Sequence, residues 1–469
     1  MINPLGATSM DWGRDQRWGN QLAMGIDFGT SGARAMVIDR QGAVVAQAQV
    51  RTSGTESGSA ADWLAQLTAL LADLPRSVRQ QTGAIAINGT SGTVLLCDRQ
   101  GHPLSDPLAY DDDRGQSVLP QIAAIAPADH VTHSATSSLA KLLWWRATQY
   151  GGQWPTVDPP QLLHQADWLG AQLHGQFGIT DYHNALKLGG DPIRQTYPQW
   201  LRRLDIGPSL PKIAQPGQAV GTILPLWADR WDFPIDCQIC TGTTDSIAAF
   251  LASGVQEPGQ AVTSLGSTLA IKLLSEQPVA DRAHGVYSHF LGRSLMARLA
   301  IDHLAPGGGN ATASPPFVDR WLVGGASNAG GRVLRHFFSD QELQRLTAQI
   351  DPQQPSPLDY YPLLEPGDRF PICDPHLPPR LTPRPADPAA FLQGILEGLA
   401  RIEAQGYQLL QQLGASPLQS VQTAGGGAKN DAWTAIRSRH LGCPVRSAKQ
   451  TEAAYGTAWL AWAGLLGPA

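Results

Sequence analysis

Cysteine is scarce in this sequence: the chain has five cysteines in 469 residues. That number gives no disulfide framework for a protein of this length, which suits a reducing compartment. Cys237 and Cys240 have the C-x-x-C spacing, but they belong to a short apolar run that predicts a strand, in which residues three apart point to opposite faces. Because no second such pair exists to complete a zinc site, the pattern disfavours a metal or redox role.

Long hydrophobic runs and an excess of basic residues are also missing. No apolar run reaches the roughly 18 residues needed to cross a bilayer. Residues 1–23 contain Arg, Asp and Trp without the apolar region of a signal peptide, so we expect them to form a loosely ordered extension. The net charge is −5 and there is no basic run, which argues against nucleic acid as a partner. We therefore expect a cytoplasmic protein with no nucleic-acid or membrane partner.

Two familiar nucleotide-binding motifs are absent as well. The P-loop pattern Gly-x-x-x-x-Gly-Lys-Ser/Thr occurs nowhere, and a dinucleotide fingerprint requires a glycine-rich turn that opens a helix. Here an apolar run at 22–28 breaks at Gly29-Thr30-Ser31-Gly32 and resumes at 33–38, which predicts a hairpin. Its N–H groups and hydroxyls can hold a phosphate chain while the Asp27 carboxylate orients Mg²⁺. An ordinary hairpin is the alternative.

The elements after this hairpin follow a known order. Apolar spacing predicts a third strand at 43–50, a helix at 60–74 and a buried strand at 84–88. Strand, strand, strand, helix, strand is the opening order of the ribonuclease-H-like unit shared by actin, Hsp70 chaperones and sugar kinases. Small polar residues at 88–93 close the unit at a strand end, where Ser91 either binds a small polyol or caps a turn.

A second strand end carries Asp245. The stretch Thr241-Gly242-Thr243-Thr244-Asp245 ends the strand that contains Cys237 and precedes a helix predicted at 246–253, so Asp245 lies at a helix N-terminus. As a simple cap, the carboxylate contributes on the order of 1 kcal/mol. The helix dipole equally favours a carboxylate used in chemistry and a phosphoryl group brought against it.

The opening pattern then returns. Strands at 261–265 and 269–274 enclose the turn Gly266-Ser267-Thr268, and this second phosphate-type hairpin implies an internal duplication of one fold. Two later glycine-rich stretches, 324–331 and 424–430, let a purine or ribose approach the backbone. Between the two hairpins, the pattern predicts helix across 139–173 and a polar loop at 180–184.

Taken together, these motifs resemble the FGGY carbohydrate kinases from about Met24 to Gly464. The resemblance implies an α/β fold with two ribonuclease-H-like domains around a central cleft. An N-terminal domain at 24–250 would form the sugar and phosphate side, and a C-terminal domain at 251–469, with a loop insertion at about 293–319, the nucleotide side. The motifs stand in the family's order: Asp27-Phe28-Gly29-Thr30-Ser31, Gly242-Thr243-Thr244-Asp245, Ser264-Leu265-Gly266-Ser267-Thr268, Gly425-Gly426-Gly427-Ala428-Lys429-Asn430 and Glu452-Ala453-Ala454-Tyr455-Gly456.

The resemblance also implies roles for individual residues, with ATP and Mg²⁺ as cofactors. Asp245 would be the base that accepts the proton of the sugar hydroxyl, while Asp27, through water, and Thr30 would serve Mg²⁺ and the phosphates. The implied sugar site consists of Asp27, Ser31, Gly32, Ala33, Arg34, Ser91 and Asp245. The implied ATP site consists of Thr30, Ser267, Thr268, Gly325, Gly425, Gly426, Gly427 and Asn430.

Within this family the chain is most similar to the short cyanobacterial and plant branch described as xylulose-kinase-like, whose phosphate acceptor is D-ribulose. Residues 88–93 and 181–188 carry that closer match. Typical xylulose kinases have Gln-Met-His-Gly where this chain has Thr90-Ser91-Gly92-Thr93, which disfavours D-xylulose. We predict conversion of D-ribulose to D-ribulose 5-phosphate by a monomer or homodimer. The alternatives are a kinase of D-xylulose or another polyol, and a non-catalytic actin-like nucleotide-binding protein.

Overall fold

Two six-stranded sheets, one in each half of the chain, form the framework of the protein. The structure is a computed structural model that describes residues 21–51, 58–301 and 318–467. No helix within these ranges has the length and apolar character required to span a membrane.

The first half contains ten strands and eight helices among the described residues. The strands are β1 (Leu22–Gly29), β2 (Gly32–Ile38), β3 (Val44–Arg51), β4 (Thr82–Gly89), β5 (Val94–Cys97), β6 (Gln161–His164), β7 (Ile179–Asp181), β8 (Lys212–Ala214), β9 (Ala219–Thr222) and β10 (Gln238–Cys240). The helices are α1 (Ala60–Asp73), α2 (Arg76–Arg79), α3 (Leu119–Ala123), α4 (Ser138–Gln149), α5 (Gln165–His174), α6 (Tyr182–Leu186), α7 (Pro225–Trp231) and α8 (Asp245–Ala252).

The second half adds six strands and six helices within the described ranges. The strands are β11 (Gln260–Leu265), β12 (Leu269–Ser275), β13 (Tyr287–Leu291), β14 (Arg320–Ser327), β15 (Ser420–Ala424) and β16 (Val445–Ser447). The helices are α9 (Arg293–Ile301), α10 (Gly331–Phe337), α11 (Asp340–Thr347), α12 (Pro388–Gln412), α13 (Asp431–Leu441) and α14 (Ala453–Leu465).

The two sheets repeat one topology. The first has the order β3-β2-β1-β4-β10-β9, in which β2 pairs antiparallel with both β1 and β3, and β1, β4 and β10 run parallel. In the second sheet, β14-β12-β11-β15-β16 repeats that pattern of directions, and β13 is added outside β14. The duplication predicted from the two glycine-hydroxyl turns is therefore confirmed.

Helices α8 and α14 lie between the two sheets. Their buried side chains, among them Phe250 and Trp459, share one apolar core with Ala23 of the first sheet and with Leu274 of the second. Because strand side chains alternate, the residues of β1 that face this core are Ala23, Gly25 and Asp27, whereas Met24, Ile26 and Phe28 pack in a separate core with α1 and α5. Asp27 thus projects toward the second half of the molecule.

The contact between β1 and α14 requires a residue without a side chain. A Cβ atom built on Gly25 would lie 2.1 Å from the Ala454 carbonyl oxygen and 2.1 Å from the Ala458 nitrogen. Overpacking of this kind costs about 1 to 3 kcal/mol. We expect Gly25→Ala to fall at the upper end of that range, because both nearby atoms are backbone, and to lower the denaturant midpoint in equilibrium unfolding.

The matched control is Gly170→Ala in helix α5, where an added Cβ meets no heavy atom within 4 Å. Alanine is the better helix former, so this variant should unfold at or above the wild-type midpoint. Equal stability of Gly25→Ala and the wild type would contradict the described packing.

Four sequence-based expectations need correction. The segment 139–173 is not continuous helix, because the strand β6 separates α4 from α5. Residues 180–184 are not the predicted polar loop, since they form the end of β7 and the start of α6 and are buried. Within the expected loop at 293–319, residues 293–301 form α9, whose buried Leu295 and Leu299 lie one turn apart, and 302–317 fall outside the described residues. The expected extension 1–23 ends earlier, because β1 already begins at Leu22, and 1–20 fall outside the described residues.

Candidate active site

The carboxyl ends of three neighbouring parallel strands bring the first group of predicted site residues together. Asp27 of β1 is in register with Asn88 of β4, and Gly89 forms a parallel bridge with Thr244, directly before Asp245. Ligands of open α/β sheets bind at such strand ends. Asp27, Asp245 and the turn that carries Ser91 therefore share one edge of the first sheet.

Asp245 is held at the first turn of α8. The Ser246 backbone N–H donates a hydrogen bond to Asp245 Oδ1 at 2.7 Å. Burial raises the pKa of this carboxyl, and the hydrogen bond from Ser246, the charges of Lys272 and Lys187 and a hydrogen bond from the Ser91 backbone partly offset that effect. A carboxylate whose pKa is raised by burial is a stronger base than a solvated one.

Asp27 carries a buried oxygen, Oδ1, that has no hydrogen-bond partner among the described residues. The pKa of this carboxyl is raised to about 7, mainly by burial and also by the charge of Asp245, while Arg34 and the hydrogen bond from Asn88 act in the opposite direction. The Asp27 and Asp245 carboxylates repel each other in a site with little water. Binding of a cation near them is therefore favourable. A buried acceptor without a donor is costly, which is typical of a site completed by a ligand.

The turn between β1 and β2, which the sequence predicts to hold phosphate, is open to solvent. Thr30 and Ser31 are exposed at the β1–β2 turn, and Gly32 has a φ of +137°. Arg34, opposite Asp27 in the hairpin, forms an ion pair with Glu452 at the start of α14. The side chain of Ala33 is buried in the core on the other face of the sheet, so only the backbone of this residue could contact a sugar.

Residues 181–188 pack against the turn that carries Asp245. Asp181 caps α6 by accepting from the backbone N–H groups of His183 and Asn184. The His183 ring contacts Thr243 Oγ1 at 2.7 Å through Nδ1 and the Phe290 carbonyl oxygen at 2.8 Å through Nε2. This buried histidine therefore joins the Asp245 turn to strand β13 of the second sheet.

The predicted nucleotide residues gather at the carboxyl ends of β11 and β15. Gly425 has a φ of +85°, and a Cβ on it would lie 2.7 Å from the Leu265 carbonyl oxygen, so the 425–427 loop passes against the Gly266 turn. Ser267 is exposed, and its Oγ accepts a hydrogen bond from Arg335 at 3.1 Å. Thr268 completes the same turn.

Two of the predicted nucleotide residues have clear packing roles. Asn430 caps α13 by accepting from the Trp433 N–H at 2.8 Å, and its amide nitrogen donates to Thr347 Oγ1 at 3.0 Å. Gly325 gives space to the ring of Phe370, since a Cβ would lie 2.4 Å from that ring. The side chain of Asn430 is thus already engaged, and Gly325 presents only backbone to the cleft.

Lys272 is a site residue that the sequence analysis missed. From β12 of the second sheet, its Nζ donates to Ser246 Oγ at 2.9 Å, next to Asp245. Burial lowers the pKa of Lys272 to about 8, while the charge of Asp245 acts to raise it. A single lysine inside the apolar run Leu269–Ser275 was a usable signal, because an unpaired lysine is costly in a buried strand.

The cysteine pair lies away from these groups. Cys237 and Cys240 are buried, and burial raises the pKa of the Cys240 thiol to about 12. Cys240 packs against Gly464 of α14, where a Cβ would lie 2.2 Å from its sulfur. Within the described ranges, no group of three or more His, Cys, Asp or Glu residues is arranged to hold a metal ion.

Two copies of one ribonuclease-H-like sheet, with phosphate-type turns and buried carboxylates at the strand ends, define a two-domain protein of the actin and Hsp70 type. The N-terminal domain of the FGGY family of carbohydrate kinases matches residues 22–252, and the C-terminal domain of that family matches residues 261–465. The chain belongs to the FGGY family of carbohydrate kinases, whose members use ATP.

Similar proteins extend over most of the chain. The xylulose kinase of Bacillus subtilis (strain 168) is 22% identical, covering 94% of this chain and 89% of its own length. The erythritol kinase of Brucella abortus (strain 2308) is 24% identical, covering 94% and 86%. The crystal structure of xylulose kinase from Rhodospirillum rubrum aligns with a TM-score of 0.76 at 20% identity, covering 95% of this chain and 92% of that one. That structural likeness supports the fold.

Proposed function

We propose that this protein transfers the γ-phosphoryl group of ATP to a small open-chain ketose, with D-ribulose as acceptor and D-ribulose 5-phosphate as product. The observation that carries the proposal is the convergence of Asp27, Ser91 and Asp245 at one sheet edge, faced by Lys272 from the other sheet. A non-catalytic nucleotide-binding protein needs phosphate turns but no buried carboxylate placed to act as a base on a second substrate.

Asp245 is the proposed general base. Phosphoryl transfer needs the acceptor hydroxyl and the γ-phosphate in line and a carboxylate close to that hydroxyl. In a loose transition state the hydroxyl loses its proton late, so a carboxylate of modest basicity suffices. The hydrogen bond from Ser246 fixes the Asp245 carboxyl, and Ser91 on the adjacent strand end is available to hydrogen-bond the sugar.

The residues present fit Mg²⁺ at Asp27. Its Oδ1 is a buried carboxylate oxygen without a partner among the described residues, and carboxylate oxygens are the ligands that Mg²⁺ takes, often through water. When bound, Mg²⁺ neutralises charge on the phosphates. Asp27 would hold the ion, and the exposed Thr30 and Ser31 turn would hold the phosphate chain.

The nucleotide would lie on the second sheet. We propose that Ser267, Thr268 and the Gly425–Gly427 loop contact ATP with exposed backbone and hydroxyl groups. In this scheme residues 24–250, together with Leu22 and Ala23 of the same strand, form the sugar and phosphate side, and residues 251–469 form the nucleotide side.

A coupled assay of ADP formation over a panel of acceptors tests the proposal. The related kinases are named for different acceptors, xylulose and erythritol, so the panel should contain D-ribulose, D-xylulose, erythritol and glycerol. Thr90-Ser91-Gly92-Thr93, in place of Gln-Met-His-Gly, supports D-ribulose as the acceptor with the highest kcat/KM. Preference for D-xylulose would overturn the specificity, and turnover of no acceptor would overturn the kinase assignment.

Without acceptor, we expect slow release of phosphate from ATP. The phosphate turn is open to solvent at Thr30 and Ser31, and a small acceptor site emptied of sugar admits water to the position of the hydroxyl. A phosphate-release measurement on purified protein with Mg²⁺ and ATP checks this expectation. Absence of detectable release under conditions that support sugar phosphorylation would contradict it.

A further inference from the structure

A cavity of about 280 Å³ lies on the face of the second sheet that points toward the first half of the molecule. In the antiparallel pairs, Lys272 is opposite Gly324, and Gly324 is opposite Tyr287, so these positions share one face. Small residues at Ala270 and Gly324 leave the space, and Ser246 forms part of the opposite wall. The cavity therefore begins one residue from Asp245.

His289 is a buried polar residue that lines this cavity and has no hydrogen-bond partner in the part of the chain that the structure describes. Its exposed fraction is 6%, and its ring makes only ring contacts, to His183 and Tyr287, among the described residues. Burial and the charge of Lys272 lower the pKa of His289 well below its usual value, so the ring is neutral. A neutral imidazole offers one donor and one acceptor. A buried polar group in this state is typical of a site that a ligand completes.

Lys272 connects the cavity to the proposed reaction centre. One of its three N–H donors is used by Ser246 Oγ, at 2.9 Å, which leaves donors for a ligand. The charged side chains on the wall of the cavity are Lys272 and Arg369, and the Asp245 carboxyl, which is coupled to Lys272, lies next to the wall residue Ser246. A ligand with several hydroxyl or carbonyl oxygens, which accept hydrogen bonds from these donors, therefore fits this environment.

The nucleotide is a poorer occupant. Neither the Thr30–Ser31 turn, nor the Ser267–Thr268 turn, nor the Gly425–Gly427 loop lines the cavity. Sites for drug-sized ligands occupy about 300 to 1,000 Å³, so this volume suits a smaller molecule. The backbone of Gly325 is the one element of the predicted ATP site on its wall.

We propose, building on the kinase function above, that this cavity is a subsite of the acceptor. It receives the end of a small, neutral, polyhydroxylated ketose remote from the reacting hydroxyl, and His289 and Lys272 hydrogen-bond that end. His289 thereby becomes a specificity-determining residue. Acceptors too short to reach it, such as glycerol, gain nothing from this contact.

Two variants test the subsite. His289→Leu removes the hydrogen-bonding ring at similar size, and Ala270→Val fills the floor of the cavity. Loss of a hydrogen bond to a ligand is worth about 1 kcal/mol, so we expect His289→Leu to raise the KM for the preferred ketose roughly fivefold. The KM for ATP and the sugar-free phosphate release should stay within about twofold, and the KM for glycerol should not change. Ala270→Val should raise the ketose KM as well. The control is His376→Leu, because His376 is exposed on the surface.

Several outcomes would overturn the subsite. An unchanged ketose KM in both variants would do so, as would an increase in the KM for ATP with the ketose KM unchanged, which would assign the cavity to the nucleotide. A parallel loss of ketose turnover, ATP binding and phosphate release in both variants would give the cavity a purely structural role. These results differ from failure of the kinase assignment itself, in which the wild-type protein would phosphorylate no acceptor.

Discussion

Asp245→Asn should lower phosphorylation of the acceptor at least ~10²-fold, the lower end of the range for loss of a general base. The substitution keeps the shape of the side chain and its acceptor for the Ser246 N–H, but asparagine cannot take a proton from the sugar hydroxyl. Binding of ATP should stay near the wild-type level, because the exposed turns at Thr30 and Ser267 are unchanged. Steady-state kinetics with the best acceptor and a separate titration with ATP measure the two effects.

The matched control for this variant is Asp340→Asn, which removes a carboxylate from the first residue of another helix, α11, at an exposed position. Its turnover should equal that of the wild type. If Asp245→Asn kept wild-type turnover, Asp245 would not be the base. If it lost ATP affinity to the same extent as turnover, its role would be structural.

Asp27→Asn should reduce kcat/KM by at least ~10²-fold, the lower end of the range for removing one electrostatic contact in a transition state. The proposed reason is that Asp27 orients Mg²⁺, whose positive charge the phosphates require. We therefore expect the Mg²⁺ concentration for half-maximal rate to rise, which a titration of Mg²⁺ at fixed ATP measures. A wild-type Mg²⁺ dependence would remove Asp27 from that role.

The same substitution should stabilise the ligand-free protein at alkaline pH. The pKa of Asp27 is about 7 in the folded state against 3.8 for an ordinary aspartate. Below pH 3.8 the carboxyl is neutral in both states. Between pH 3.8 and about 7 only the unfolded state ionises, so stability falls across this interval and levels off above it. At 1.36 kcal/mol per pKa unit, the loss has an upper limit of about 4 kcal/mol.

Asparagine at position 27 does not ionise, so Asp27→Asn should raise the denaturant midpoint at pH 8 and leave it nearly unchanged at pH 4. Urea unfolding at the two pH values separates these expectations. Lower stability of the variant at pH 8 would mean that Asp27 is stabilised as a carboxylate in the folded protein. An active site that lowers stability in this way is a common compromise between activity and stability.

Much of the fold could be predicted from local chemistry. The two hairpins, the strand at 84–88 and the ends of α1 and α13 are marked by glycine-hydroxyl turns and helix caps, which depend on a few adjacent residues. The break between α4 and α5 could not, because the short apolar strand β6 has the composition of a buried helix segment and its partner, β5, is distant in the sequence.

The site was predictable to the extent that its residues lie at strand ends. Asp27 lies near the end of an apolar run, Ser91 and Asp245 follow such runs, and parallel strands bring these ends to one edge. Lys272 was marked locally by its place in an apolar run, whereas His289 became visible only with the pairing of β13 and β14, since nothing local indicates which strand β13 joins. Alternation along β2 turns the Ala33 side chain into the core, so only the backbone of this residue is left for the predicted sugar contact.

The packing of α14 between the sheets has a consequence for biosynthesis. Trp462 Nε1 of this helix donates to the Asp39 carbonyl oxygen, a contact between residues 423 positions apart. The strands of the first sheet are synthesised early, whereas α14, which packs against the inner face of that sheet, is synthesised near the end. That face therefore stays uncovered until nearly the whole polypeptide has emerged from the ribosome. Contacts of such long sequence separation slow folding, so the nascent N-terminal half should depend on chaperones during translation more than the compact native state suggests.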